Sequence, residues 1–330
     1  MLTPPQLQYL TERFNRRVFD RYQIILKIFQ AHARTKEAKL QISLAQIPLL
    51  RAKLNCGIED IDISYEQLSE KEARIRKSLE RIKNHRRFIK KERVKREIPN
   101  VAVIGYTNAG KTSLIKALTR NTKLQPENKL FATIDVTTHP CQLTNNINVL
   151  LTDTVGFISD IPTTLVEPFS ATLEDINTAD AIIHVRDISH PDTDYQKLNV
   201  EKTLLKLNVS EKVRSNLIEV CNKEDLLSED EREKIKETQT RILTSVSNGN
   251  GLKCLSNVIG KVILKTTDRS LKRFRLKNGG AIYRYLSSEN LIIDTKVDED
   301  NCDKLIITTA LTDRQLSMLN SKFRRETITK

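Results

Sequence analysis

The chain has 330 residues, enough for two or three domains with a sizeable core, and its 55 Lys and Arg against 42 Asp and Glu leave a net charge of +13, a balance that suits polyanionic partners. No apolar run reaches the roughly 18–20 residues of a membrane span, and Met1 is not followed by the regions of a secretory signal. Cys56, Cys141, Cys221, Cys254 and Cys302 form no C-x-x-C pair, so a soluble protein with reduced, structural cysteines and no zinc site is expected.

The first element with a clear signature is helical. In "TKEAKLQISLAQIPLLRAKL" (35–54), Leu40, Leu44, Ile47 and Leu54 fall four, three and seven apart, and Pro48 is expected to bend the helix. Ile75, Leu79, Ile82 and Ile89 repeat the same spacing in a second segment. Together they predict an antiparallel hairpin over 35–97 with its tip near 55–64. From Lys71 to Glu97 the second segment carries 13 Lys or Arg against 4 Asp or Glu, a net +9. A charged run is usually a solvated helix face; this excess is nearly one-sided, which favours binding to a phosphate backbone.

"VAVIGYTNAGKTSLIKAL" (101–118) reads as strand, loop and helix, and it contains G-x-x-x-x-G-K-[ST] from Gly105 to Thr112. In this loop, Gly105, Tyr106, Thr107, Asn108, Ala109 and Gly110 turn backbone N–H groups towards phosphate oxygens, and the helix through Ser113 offers its positive end to the same anion. Lys111 reaches the β and γ phosphates, and the Thr112 hydroxyl faces Mg²⁺. Such a loop alone suits an ATPase, a kinase or a GTPase. "INVLLTDTVGF" (147–157) then supplies Asp153, which holds Mg²⁺ through a water, and Gly156, whose N–H meets the γ phosphate. "VCNKEDLL" (220–227) carries N-K-x-D as Asn222, Lys223 and Asp225. A carboxylate at Asp225 accepts from the N1–H and 2-amino groups of guanine, donors that adenine does not present there. The order of these pieces selects GTP.

The remaining loops fit that reading. "SVSNGNGL" (245–252) brings Ser245, Val246 and Ser247 over the base through main-chain contacts, with valine where alanine is more usual. "KLFATIDVTTH" (129–139) supplies the threonine that completes the Mg²⁺ shell, and Thr133 is selected over Thr137 and Thr138. Phe157 occupies the place where Ras-like enzymes carry a water-orienting glutamine; its ring reads equally as a core residue. Lys111, Asn108 and Gly156 are therefore the catalytic candidates. Asn108 either holds a K⁺ beside the phosphates or braces the loop. His184 reads as a core histidine, and Arg186 and Asp187 as residues that pair locally.

These stretches, with "DTVGFISDIPTTLVEPFSATLED" (153–175) and "AIIHVRDISHP" (181–191), resemble the HflX branch of the Obg-like translational GTPases, most of all its animal mitochondrial members. The resemblance runs upstream through "VFDRYQIILKIFQAHARTKEAKLQISLAQIPLLRAKL" (18–54) and the basic helix. It implies a GTPase that binds the large ribosomal subunit and its rRNA in splitting, recycling or late assembly. It also implies Mg²⁺, a monomer and a mitochondrial location, with the cytoplasm as the alternative. Thr133 rests on it too, because "FAT" aligns with the switch threonine of the Obg type. Bacterial members have a glycine-rich hairpin tip, whereas here 55–67 is acidic with one glycine. Members also have a longer N-terminal subdomain, so 1–34 is expected to be the remnant of an α/β unit entered partway through.

The expected fold is α/β: a doubly wound, mostly parallel P-loop GTPase domain over 98–266, preceded by the hairpin and followed over 267–330 by a small α+β domain. "RSLKRFRLK" (269–277) is expected to connect the last two. Two other functions remain open: an RNA-binding scaffold with structural GTP, and a K⁺-dependent GTPase of tRNA modification, which the lack of an accompanying modification domain or cysteine motif disfavours.

Overall fold

The computed structural model describes residues 2–55, 63–95, 97–126, 129–133, 136–144, 146–157, 176–206, 209–235, 240–298, 301 and 303–323. The hairpin tip at 56–62, Cys56, Cys302 and most of 153–175 lie outside the described residues, as do the side chains of 90–96.

Four helices come first: α1 (Pro4–Phe14), α2 (Arg21–His32), α3 (Lys36–Asn55) and α4 (Tyr65–Lys95). Asp20 caps α2 by accepting from the Gln23 N–H. Residues 2–34 contain α1 and α2 and no strand among the described residues. Helix α3 continues through Pro48, whose missing N–H removes one intrahelical bond without ending the helix. Leu44 and Ile47 bury against Leu68 and Ile75, with Leu40, Leu54 and Leu79 at the edges. Ion pairs Arg51–Glu72 at 2.6 Å and Arg86–Glu37 at 2.8 Å tie α3 to α4 towards the two ends of the hairpin.

The stripe does not hold to its end. Ile89 is 56% exposed and its neighbour Phe88 64%, because α4 has 31 residues and α3 only 20. Past Arg86 the basic helix has outrun its partner.

The central sheet has the order β2-β3-β1-β4-β5-β6, with β1 (Asn100–Gly105), β2 (Thr137–Gln142), β3 (Asn148–Asp153), β4 (Ala181–Asp187), β5 (Ile218–Asn222) and β6 (Arg241–Leu243). Only the β2–β3 pair is antiparallel. Strand β1 is buried on both faces, which is why it reads as an unbroken apolar run. Val101 and Val103 pack with Leu114 and Ile115 of α5 (Lys111–Thr119) and with Leu255 and Ile259 of α9 (Leu252–Thr266). Ala102 and Ile104 face the other way, onto Val200 and Leu204 of α6 (Thr193–Lys206). Short helices α7 (Glu211–Arg214) and α8 (Glu229–Lys234) complete this part. The strand order reverses at β1, so the loop that follows β1 opens at the switch point where doubly wound sheets bind ligands.

After α9 comes an antiparallel sheet of order β7-β9-β8, built from β7 (Ser270–Lys277), β8 (Ile292–Val297) and β9 (Lys304–Leu311). Helices α10 (Ala281–Ser288) and α11 (Asp313–Lys322) cover it through Ile282, Leu286 and Leu319 on Phe274, Leu276 and Ile307. The stretch 269–277, expected as a connector, is thus an edge strand. Phe274 and Leu276 point inward while Arg273, Arg275 and Lys277 alternate outward.

Candidate functional site

The loop from Tyr106 to Gly110 leaves β1 and enters α5. Its shape requires glycine at position 110: φ is +98°, and a Cβ there would run into the Asn222 amide. Asn108 is also left-handed at φ +64°. The Thr107 N–H donates to the Phe157 carbonyl at 2.8 Å and the Phe157 N–H returns a bond to Gly105 at 3.0 Å. This exchange lays the segment after β3 against the phosphate loop. Gly156 then lies so close that a Cβ on it would come 2.8 Å from Thr107 Cγ2 and 3.1 Å from Lys111 Nζ.

The Lys111 ammonium is buried and donates to the Tyr106 carbonyl at 2.9 Å and the Gly105 carbonyl at 3.2 Å. Burial pulls its pKa down to about 8, while the Asp153 charge acts the other way. Asp153, at the end of β3, is pushed up by burial against the opposing pull of Lys111 and of the bonds from Thr112 and Thr133. One oxygen, Oδ2, accepts from Thr112 Oγ1 at 2.7 Å and from Thr133 Oγ1 at 3.1 Å. The two hydroxyls are 2.9 Å apart. The other oxygen, Oδ1, is buried with no hydrogen-bond partner. A buried carboxylate with one unmatched oxygen, ringed by two hydroxyl oxygens, is a hard-oxygen donor set that fits Mg²⁺ or a water bound to it.

The base side is formed by β5, its 3₁₀ turn (Glu224–Leu226) and the loop after β6. Asn222 is buried; its Nδ2 donates to the Ala109 carbonyl at 3.0 Å. Lys223 is left-handed, and its ammonium pairs with Asp187 at 2.6 Å. Two of the three motif residues thus brace the loops. Asp225 lines an open cavity of about 750 Å³ together with Lys223, Val246, Ser247, Asn108 and Ser113. Ser245 is buried beneath it, donating its N–H to the Asn250 carbonyl at 3.2 Å. A narrower cavity of about 50 Å³ continues from this one past Thr107, Lys111 and Thr112 to Thr133 and Gly156. Of the expected residues, Thr107, Asn108, Gly110, Lys111, Thr112, Ser113, Thr133, Gly156, Asn222, Lys223, Asp225, Val246 and Ser247 line this cleft, whereas Gly105, Tyr106, Ala109, Asp153 and Ser245 do not. Lys116, Arg120, Asn121, Thr122 and Pro126 also line its base side; the run of polar residues and proline after α5 was their only sign in the sequence.

Other candidates fall outside the cleft. Phe157 is 4% exposed and packs on Ala102, Ile104 and Ile182, so its ring is core. His184 is buried in β4, and burial with the neighbouring Arg186 lowers its pKa to about 3. Arg186 and Asp187 face opposite ways, as successive strand residues do. Arg186 joins Glu219 and Asp194, and Asp187 joins Lys223 and Ser189. Cys141 and Cys221 are buried thiols whose pKa values burial raises to about 11.

A phosphate loop at the switch point, a carboxylate with two hydroxyls beside it and an N-K-x-D turn at the far end of the same cleft define a P-loop domain of the GTPase class. Comparison with known proteins agrees. A family profile described as 50S ribosome-binding GTPase matches residues 100–223. Human putative GTP-binding protein 6 is 38% identical over 314 residues, which cover 90% of this chain and 60% of that protein. GTPase HflX of Methanocaldococcus jannaschii is 32% identical over 343 residues, 97% of this chain and 81% of that protein. A crystal structure of the SsGBP and GDP complex is 26% identical, covers 81% of this chain and 80% of its own, and gives a TM-score of 0.50. The chain spans about three fifths of the length of the GTP-binding protein 6 relatives it matches. It belongs to the HflX family of GTPases.

Proposed function

We propose that this chain binds GTP and hydrolyses it to GDP and phosphate while engaged with the large ribosomal subunit, in ribosome splitting, recycling or late assembly. The observation that carries the reading is the convergence of Thr112 and Thr133 on Asp153, with Oδ1 left unmatched, at the end of the phosphate loop. Thr112, Thr133 and Asp153, the last through a water, would hold Mg²⁺, which supplies charge neutralisation for the β and γ phosphates when bound. The Lys111 ammonium leaves the loop carbonyls for the β and γ phosphate oxygens, and the Gly156 N–H turns to the γ phosphate. Asp225 reads the guanine edge. The oxygen of a water attacks the γ phosphorus, the bond to the bridging oxygen breaks, GDP leaves with that electron pair, and the water's proton passes to an oxygen of the phosphate product.

The basic α4, the 50S-binding description of the matched family and membership in HflX support the ribosomal partner. The similarity to animal relatives supports a mitochondrial site of action. Turnover measured with and without purified large subunits tests the reading: slow alone, accelerated by subunits. One observation favours a second reading, an RNA-binding scaffold with structural GTP: the buried Phe157 ring where a water-orienting group would sit. GTP bound but not turned over, with or without subunits, would select it.

A further inference from the structure

Hydrolysis needs a group that places the attacking water, and the Phe157 ring, turned into the core, is not that group. The phosphate loop itself holds a candidate. Thr107 is 8% exposed, and its Oγ1 is buried with no hydrogen-bond partner. A stranded buried hydroxyl costs stability, and a ligand that completes its hydrogen bonds accounts for its being kept.

The position of that hydroxyl says which ligand. Thr107 lines the narrow cavity with Lys111, Thr112, Thr133 and Gly156, and it does not line the base-side cavity. The other two threonine hydroxyls of the narrow cavity are committed to Asp153, Thr112 at 2.7 Å and Thr133 at 3.1 Å. The Thr107 N–H is committed as well, to the Phe157 carbonyl at 2.8 Å, so the side chain is what this residue has left to offer. Gly156, whose N–H meets the γ phosphate in the reading above, presses on the same side chain. A Cβ on Gly156 would come 2.8 Å from Thr107 Cγ2 and 3.0 Å from Thr107 Cα. The stranded hydroxyl therefore stands at the γ-phosphate end of the cleft. Among the described residues that line this narrow cavity there is no Asp, Glu, His or Gln to do the same work.

We propose that the Thr107 side chain is a catalytic residue: its hydroxyl donates to a γ-phosphate oxygen and accepts from the attacking water, holding that water against the γ phosphorus. One proton and two lone pairs let a single hydroxyl do both. It is too weak a base to keep the water's proton, which passes to a phosphate oxygen, so Thr107 ends the turnover unchanged. The inference rests on the GTPase reading and assigns it a residue.

The experiment uses the whole chain with Mg²⁺ and compares Thr107→Val, which keeps the shape and removes the hydroxyl, with Thr107→Ser, which keeps the hydroxyl. Four readouts are collected: urea unfolding without nucleotide, affinity for GDP, affinity for GDP with aluminium fluoride as a mimic of the transferring phosphoryl group, and single-turnover hydrolysis at saturating GTP. Thr107→Val should be as stable as wild type or more so, because a stranded polar group is gone, and its GDP affinity should stay within about twofold of wild type. Hydrolysis should slow by about 10- to 100-fold, the loss of one hydrogen bond to a charged group in the transition state. The preference for the aluminium fluoride complex over GDP should fall in parallel, and Thr107→Ser should retain most of the rate. A hydroxyl that only braces the loop gives the opposite pattern, in which Thr107→Val loses stability and GDP affinity together. That pattern, or a Thr107→Val rate equal to wild type, overturns the proposal. If wild type does not turn over GTP with or without large subunits, the GTPase reading fails instead, and the aluminium fluoride preference still decides whether Thr107 meets the γ position.

Discussion

The bond between Asn222 and the phosphate loop makes a quantitative claim. Asn222 ends β5; its Nδ2 donates to the Ala109 carbonyl at 3.0 Å, and its Oδ1 accepts from Thr244 Oγ1 at 3.4 Å. Asn222, Thr244 and Ala109 are all buried, so Asn222→Ala strips a donor and an acceptor from groups that water does not reach. Each stranded buried group costs about 1–3 kcal/mol. The long Thr244 contact contributes little of this, so the Ala109 carbonyl decides the magnitude. Part of the penalty falls on the fold and part on the loop conformation that the phosphates require. A loss of about 1.4 to 2.8 kcal/mol in binding is 10- to 100-fold in affinity, read mainly as faster release of a fluorescent GDP. Asn222→Asp should be worse, because a carboxylate oxygen would then face the carbonyl oxygen. GDP affinity within twofold of wild type for Asn222→Ala, or tighter binding for Asn222→Asp than for Asn222→Ala, would refute the reasoning.

Asp225→Asn should shift preference from GTP to xanthosine triphosphate, checked by competition against labelled GDP; unchanged GTP affinity removes Asp225 from the base site. If Asn108 holds K⁺, replacing K⁺ by Na⁺ should slow turnover and Asn108→Ala should abolish the difference, whereas equal rates in both salts retire the idea. Glutamine at Arg87, Lys90, Lys91 and Arg93 should weaken large-subunit binding and flatten the salt slope by about two to three units, at roughly 0.7–0.9 per phosphate contact, with nucleotide affinity unchanged; Arg86 is excluded because it pairs with Glu37. For Glu219, burial acts upward, but hydrogen bonds from Arg186 and Lys197 outweigh it and bring the pKa to about 2. A depressed carboxylate pKa contributes stability that is complete above the ordinary value near 4.5 and lost as pH falls towards 2. Glu219→Gln should therefore flatten the acid limb of the stability curve in that window by about 3 kcal/mol, followed by urea unfolding.

The parts of this fold that could be read in the sequence are those whose cause is local. Strand β1 and its loop declare themselves because a strand buried on both faces is an apolar run and because Gly110 alone accepts φ +98° against Asn222. The hairpin was visible in its 4-3-7 spacing, but periodicity does not say where a partner helix stops, and Ile89 was placed on a seam that ends before it. In 269–277 the basic residues mask an alternation that Phe274 and Leu276 carry, so a strand read as a connector. N-K-x-D was legible as a motif. That Asn222 turns to Ala109, 113 residues away, was not. The link from His32 to Phe131 spans 99 residues and has no motif, since an aromatic beside a switch threonine looks like any core residue.

Those two long-range links divide the work of the cleft. Asn222 ties the base end to the phosphate loop from within the central sheet, whereas Phe131 ties the γ-phosphate end to helices outside it. The second tie continues further: Glu37, next to Ala38 of the Phe131 cluster, pairs with Arg86 of α4 at 2.8 Å, just before the exposed Phe88 and Ile89. Arg86 thereby joins the basic helix to the turn of α3 that packs in the Phe131 cluster.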